Sequence, residues 1–402
     1  MPQTVKLNEF TYTQTAAPWM TLPATQQPHW HHHPEYDLIE AELSGALPLV
    51  AHSEIREAKR ALGLAALGEA RVLQLGDCAE SFSDADPLTT SRKVRNIQRI
   101  AARMAERSGQ RVARFGRMAG QYAKPRSSNF ETVGGVDLPS FRGELVNSFE
   151  ADTAARQHDP ERMLLAYDAS AAVIREVRAH WTGTAEELDG GPWVAHEALV
   201  LDYENALIRT DERTGEQFLT STHFPWIGER TRQLDHAHVS MFAAIANPIG
   251  CKIGPTADPE TVVRLCQLLD PHHTPGRLTL IVRMGHEDIH VALAPIVRAV
   301  QRAGHPVVWV SDPMHGNTVT TETGRKTRLV SHIIEEATAF RHILETEGAH
   351  AAGLHLEAAA TDVTECVGGS VPDEKALSER YETLCDPRLN PDQALRVIDS
   401  FF

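Results

Sequence analysis

The chain has 402 residues, 42% of them apolar and 23% charged, which suits one large domain with additions or two domains. With 39 basic and 54 acidic side chains its net charge is −15, which argues against a general nucleic-acid binder. Five cysteines without a CxxC pair argue against a disulfide framework, and no apolar run is long enough to span a membrane. No secretory apolar region opens the chain, and its first residues carry Glu9 and no arginine, unlike a transit peptide. A reducing, cytoplasmic setting is expected.

Residues 1 to about 35 carry Pro2, Pro18, Pro23, Pro28 and Pro34 and predict an irregular arm. His29, His31, His32 and His33 within it are read as solvated rather than as metal ligands. Leu38 to Leu67 has helical periodicity. Residues 1–69 are therefore expected to form an arm and helices packed on the bottom or side of a main domain over 70–402.

From residue 71 strand-like runs alternate with amphipathic helices. Arg71 to Glu80, RVLQLGDCAE, reads as a buried strand broken at Gly76 and ending in Asp77, Cys78 and Glu80. Ser91 to Arg107 predicts a helix with Val94, Ile97, Ile100 and Met104 on one face. Further strands are predicted at Arg111 to Phe115, His196 to Leu201, Thr220 to Trp226, Pro248 to Gly254, Leu278 to Arg283, Pro306 to Val310 and Ala351 to Leu356. Helices are predicted at Met163 to Trp181, after Asp258 and Pro259, from about His286 to Arg302 with Gly304 as stop, and around Leu329 to Phe340. A last helix starts at Asn390 and Pro391. Eight strands alternating with helices predict an α/β fold, a (β/α)8 barrel of the TIM type with an N-terminal helical extension. A doubly wound open sheet is the alternative, weakened because no GxGxxG or GxxxxGKS loop follows any strand.

The strand ends carry Cys78; then Arg117, Lys124, Arg126 and Ser127; Glu197; Glu229 and Arg230; Lys252; Arg283; Asp312 and His315; and His355 and Glu357. In a barrel these ends converge on one mouth. Basic residues at successive strand ends of an acidic protein make a funnel for anionic substrates, and arginine forks match phosphate and carboxylate. Cys78, His315 and Glu357, with Asp386 from CDPRLN, offer a thiolate, an imidazole and two carboxylates, a set that suits manganese, iron, cobalt or zinc. Read alone, Cys78 is better taken as a small buried hydrophobe, a balance its flanking carboxylates shift toward a metal ligand, and Asp386 is equally a turn residue before proline.

The motifs LQLGDCAE, GRMAGQYAKPRS, STHFPWIGERTRQ, NPIGCKIGP, GRLTLIVRMG, SDPMHGNT, GLHLE, DVTEC and CDPRLN, in this order, resemble the type II (plant and microbial) 3-deoxy-D-arabino-heptulosonate 7-phosphate (DAHP) synthases. The resemblance covers residues from about 70 to 395. It implies condensation of phosphoenolpyruvate with erythrose 4-phosphate, the opening step of the shikimate pathway, on a metal-dependent TIM barrel. It implies Cys78, His315, Glu357 and Asp386 as ligands of a divalent metal, Mn2+ ahead of Co2+, Fe2+ or Zn2+. Arg117, Lys124, Glu229, Arg230, Lys252 and Arg283 match the phosphoenolpyruvate site, and Arg126 and Ser127 the erythrose 4-phosphate contacts. The catalytic roles fall to Lys124 and Lys252, for proton delivery or phosphate neutralisation, to His315 at the developing alkoxide, and to Glu197. A homo-oligomer, dimer or tetramer, is expected, with no nucleic-acid or membrane partner.

The Ser128 to Trp193 segment is short beside longer members, whose extra helices there bind aromatic amino acids. The chain resembles compact members found with phenazine and other secondary-metabolite pathways, and feedback by those amino acids is not expected. The alternatives are a relative that uses an amino or imino tetrose phosphate and an inactive barrel serving as a regulatory subunit. Cys385 adjoins Asp386, so a Cys78–Cys385 bridge is expected when metal is absent and oxidant present.

Overall fold

Eight parallel strands close into a barrel in the computed structural model, which describes residues 17–183, 188 and 190–402. They are β1 (Ala70–Gly76), β2 (Arg111–Arg117), β3 (Trp193–Glu197), β4 (Phe224–Ile227), β5 (Ile249–Ile253), β6 (Leu278–Val282), β7 (Val308–Ser311) and β8 (Ala351–Glu357). They follow one another around the ring in chain order, with β8 pairing back onto β1, as a (β/α)8 barrel requires. Two helices precede the barrel, α1 (Tyr36–Gly45) and α2 (His52–Ala66). Those that follow are α3 (Pro87–Ser108), α4 (Arg162–Ala179), α5 (Leu201–Ala206), α6 (Ala237–Ala244), α7 (Pro259–Leu269), α8 (Ile289–Arg302), α9 (Val330–Thr346) and α10 (Pro391–Phe401). The strongest starts are encoded locally. Asp86, Asp258 and Asn390 accept backbone N–H groups at the heads of α3, α7 and α10, each followed by proline at the first helical position.

The period of two along a strand decides where the chemistry sits. Val72, Phe115, Ala195, Trp226, Ile281 and Val310 form one apolar cluster with Ala58, Ala61, Leu62 and Ala65 of α2. The barrel interior is thus a packed core, and α2 closes its amino-terminal end. The alternate residues Leu73, Leu75, Cys251, Leu280 and Leu354 belong to the larger cluster between strands and helices. Two residues beyond Phe115, Ala195, Ile281 and Val310 come Arg117, Glu197, Arg283 and Asp312, at the carboxyl end. Register levels these positions: Gly76 pairs with Arg117 on one side and Glu357 on the other. A Cβ at Gly76 would lie 2.5 Å from the Arg117 carbonyl oxygen, so this approach of β1 to β2 demands glycine.

Two expectations are corrected. The third strand runs from Trp193 to Glu197, not His196 to Leu201. Ala198 to Leu201 is apolar because it lies buried under the amino-terminal arm, where the Leu199 carbonyl accepts from Gln27 and His238 pairs with it. The described part of the arm, from residue 17, is irregular but not simply solvated. Trp19 and Trp30 are buried, Trp30 Nε1 donates to Asp202 Oδ2 at 2.7 Å, and the His31 ring lies 3.2 Å from the same carboxylate. Residues 1–16 of the arm lie outside the described residues. Three antiparallel hairpins were not anticipated: Phe130–Val133 with Val136–Pro139, Ile208–Thr210 with Gln217–Leu219, and Thr318–Thr320 with Lys326–Arg328. The first turns on Gly134 and Gly135, both at positive φ, a two-residue signal that was there to read.

Candidate active site

The side chains at the carboxyl ends of the strands meet around Glu357, which is fully buried. Arg117 Nη2 donates to its Oε1 at 2.9 Å, and Arg328 Nη1 to its Oε2 at 2.8 Å. His315 Nε2 lies 3.1 Å and Lys124 Nζ 3.7 Å from Oε1. Burial alone would raise the Glu357 carboxyl, but the charges on His315, Lys124 and Arg328 outweigh it and hold it well below its usual range.

Lys124 joins this cluster to a second one. Its ammonium is 3.7 Å from Asp386 Oδ2 as well, so it lies between the two carboxylates. Burial would lower Lys124, but the neighbouring Cys78, Glu357 and Asp386 raise it instead. Asp386 Oδ2 is 3.8 Å from Cys78 Sγ, and the Asp386 N–H donates to that sulfur at 3.3 Å. The Cys78 thiol, buried and in contact with Cys385, is pushed well above its usual value. The four expected metal ligands thus stand as two pairs, His315 with Glu357 and Cys78 with Asp386, spanned by one lysine. Among the described residues no three such donors are gathered closely enough to hold an ion. The donor set still fits a divalent cation, because thiol, imidazole and two carboxylates enclose a place where an ammonium already sits.

Lys252, 5% exposed, donates to Asp312 Oδ2 at 2.9 Å and is 3.3 Å from His315 Nδ1. Asp312 also accepts from His315 Nδ1 at 2.8 Å, which fixes that ring with Nε2 toward Glu357. Burial pulls Lys252 below the ordinary lysine value despite Asp312. Arg283 Nη2 donates to the His315 carbonyl at 2.8 Å. Glu197 and Glu229 each keep one buried carboxylate oxygen, Oε1 and Oε2 respectively, without a partner among the described residues. A Cβ at Gly228 would sit 2.0 Å from that Glu197 oxygen, so glycine makes its room.

Other expected residues stand further out. Ser127 and Arg230 are exposed at the rim. Arg126 pairs with Glu131 of the first hairpin rather than pointing at the buried cluster. Gln26, from the arm, holds Arg126 by both backbone groups, at 2.8 and 3.1 Å.

Several residues that build the mouth carried no role in the sequence reading. Arg328 is fully buried and ties Glu357 to the Pro387 carbonyl, and Lys326 on the same strand is 2.8 Å from Asp386 Oδ1. Glu80 accepts the backbone N–H groups of Ala119, Gly120 and Gln121, which shapes the loop leading to Lys124. Gln74 orients the His355 ring at 2.7 Å, and His355 in turn contacts Arg117. Arg328 and Lys326 lie in TETGRKTR, a polar run that reads as solvated loop, so nothing in the sequence marked them.

Fold and mouth together define a barrel enzyme for small anionic substrates. Comparison with known proteins gives the family. The model of the class-II DAHP synthetase family matches residues 14–192 and 187–400. A probable phospho-2-dehydro-3-deoxyheptonate aldolase of Pseudomonas fluorescens is 43% identical over 376 residues, covering 93% of this chain and 94% of the relative. Phospho-2-dehydro-3-deoxyheptonate aldolases of Streptomyces coelicolor and Mycolicibacterium smegmatis are 40% and 38% identical, covering 94% of this chain and 94% and 92% of theirs. The solved structure of a phospho-2-dehydro-3-deoxyheptonate aldolase from Francisella tularensis covers 91% of this chain and 97% of its own at a TM-score of 0.52 and 11% identity, a likeness of fold alone. The chain belongs to the class-II DAHP synthetase family, and its activity is that of a DAHP synthase.

Proposed function

We propose that the barrel mouth condenses phosphoenolpyruvate with erythrose 4-phosphate, giving DAHP and inorganic phosphate, through the residues assigned below. The observation that carries this reading is the convergence of Arg117, Lys124, Lys252 and Arg283 on Glu357, Asp312 and His315 at one end of the barrel. Arg117, Arg230, Arg283, Lys124 and Lys252 bind the phosphate and carboxylate of phosphoenolpyruvate, with Glu229 placing Arg232 and closing the wall. Arg126 and Ser127, at the rim, take the phosphate of the aldose. That arrangement aims the nucleophilic C3 of one substrate at the carbonyl of the other.

Cys78, His315, Glu357 and Asp386 would hold a divalent metal, which supplies Lewis-acid polarisation of the aldehyde oxygen when bound. Lys252, buried and lowered, is the proton donor to the oxygen that becomes alkoxide, and Asp312, which holds both Lys252 and His315, positions it beside that ring. Lys124 neutralises the phosphate that departs from C2. Glu197, through its unpartnered Oε1, orients the water that adds at C2. Of the metals open to this donor set, Mn2+ is our choice.

Three coarser expectations join this reading. Residues 1–69 serve as an arm and helices packed on the barrel over 70–402. Exposed Leu38, Leu47 and Leu165 near the α1–α4 contact support a dimer or tetramer. The alignments to the Streptomyces and Mycolicibacterium relatives, 425 and 432 residues long, exceed the 402 residues of this chain, which supports the compact form and with it a place in secondary metabolism.

Steady-state kinetics of two variants test the assignment. R283A should raise KM for phosphoenolpyruvate and leave KM for erythrose 4-phosphate nearly unchanged, and R126A should do the reverse. Equal effects of both variants on both substrates would refute the division of the mouth.

A further inference from the structure

A second surface concentrates positive charge in this acidic chain. α3 presents Arg92, Arg95 and Arg99 outward at spacings of three and four residues, so they share a face. Opposite them lies the segment after β8, with Thr361, Asp362 and Arg380. Together they line a cavity of about 400 Å3.

The four guanidinium groups are poorly neutralised. Arg92 and Arg95 have no ion pair or hydrogen bond among the described residues. Arg99 pairs with Asp392 at 3.1 Å, but the two side chains are 53% and 74% exposed. Arg380 pairs with Glu382 at 2.7 Å, again with both half-exposed. Exposed pairs of this kind contribute little and yield readily to a better partner. Only Asp362 adds a carboxylate to the lining. Two open arginine forks on one wall and an exchangeable one on the other suit a ligand with an anionic group at each end.

The cavity is also tied to the barrel mouth. A smaller neighbouring cavity of about 190 Å3 shares Arg92, Thr361 and Arg380 and reaches Asp77, Lys93 and Arg388. The Arg380 backbone pairs with Thr364 in both directions, at 2.8 and 2.9 Å. Glu365, next in the chain, holds Arg388 at 2.8 Å, and Arg388 holds Asp77 at 2.5 Å. Asp77 precedes Cys78, and Arg388 follows Asp386 by two residues. Hydrogen bonds from Arg380 to Thr364, and ion pairs from the adjacent Glu365 through Arg388 to Asp77, therefore link the arginine cavity to both segments that carry the sulfur and carboxylate of the mouth.

We propose that the cleft between α3 and the segment after β8 is a second anion site, distinct from the barrel mouth, that takes a small molecule with two phosphate groups or their equivalent. The inference does not rest on the residue roles assigned at the mouth. Its test is calorimetric titration of fructose 1,6-bisphosphate and of inorganic phosphate, at low ionic strength, into the unaltered protein, R92A/R95A and R283A. Arg92 and Arg95 are exposed, so the double variant keeps its fold, which circular dichroism checks. The unaltered protein and R283A should bind the bisphosphate at this site more tightly than phosphate. R92A/R95A should lose that event, its affinity falling about a hundredfold, roughly tenfold per arginine. Binding by R92A/R95A with unchanged stoichiometry and affinity would overturn the proposal, as would a bisphosphate bound no better than phosphate by the unaltered protein.

Discussion

Glu357 is ionised because four cationic or imidazole groups surround it, and that same crowding places Cys78 in an unusual position. Beside it, burial and the neighbouring Cys385 push the Cys78 thiol up, while the Cys385 thiol is lowered by its neighbour Cys78. The lowered thiol is the better nucleophile, so oxidation should begin there. A metal bound through the Cys78 thiolate would remove that sulfur from the reaction. Metal-free protein exposed to hydrogen peroxide should therefore form a Cys78–Cys385 disulfide, with peroxide taking up the two electrons, and lose activity that reductant plus metal restores. Peptide mapping by mass spectrometry reads the bridge directly. Both thiols still free in inactivated protein would rule this route out. The remaining cysteines, Cys251, Cys266 and Cys366, are buried with raised thiols and should stay unmodified.

At the scale of elements, α2 must be anchored for the barrel end to stay closed. Glu54 does this: it accepts the Ala51 N–H at 2.7 Å and both Nε and Nη2 of Arg178 on α4 at 2.7 Å. Burial would raise its carboxyl, but the bonds to His223, Arg178 and Ala51 hold it well below the usual range. A carboxyl depressed in the folded state contributes stability that is present above its unfolded value of about 4.3 and is lost as pH falls through the folded value. E54Q should therefore cost about 2 kcal/mol near neutral pH, and the cost should shrink on acidification. Urea denaturation at neutral and acid pH measures both, and a loss that does not change with pH would show that Glu54 acts by packing alone. The elements were legible where local rules sufficed. Capping pairs such as Asp258–Pro259 and Asn390–Pro391 marked helices, and strand ends marked Arg117, Lys252, Arg283 and Glu357. They were illegible where tertiary contact decides: HEALVL looked like a strand because burial under the arm needs the same apolar residues as burial in a sheet. Arg328 stayed hidden because a buried charge and a solvated one are the same letter until a partner such as Glu357 comes from another strand.

For the whole molecule, a net charge of −15 contrasts with the cations Arg117, Lys124 and Lys252 gathered at the barrel mouth, a contrast that favours anions there over the rest of the surface. The same scale governs regulation. Among the described residues, the chain between β2 and β3 contributes one hairpin and α4. Phenylalanine, tyrosine and tryptophan should leave turnover unchanged, and calorimetry should detect no tight binding; inhibition coupled to binding of any of them would contradict the compact reading.

On the proposed reading, Cys78, His315, Glu357 and Asp386 join the mouth's cations in one metal-dependent condensing site. Phosphate release from phosphoenolpyruvate in the presence of erythrose 4-phosphate tests it most directly. The protein is stripped with chelator, assayed, resupplied with Mn2+ and assayed again, with C78S treated alongside. Turnover should be lost on stripping and recovered with Mn2+, and C78S should fold, bind Mn2+ more weakly and scarcely turn over. Full turnover by exhaustively stripped protein would contradict it.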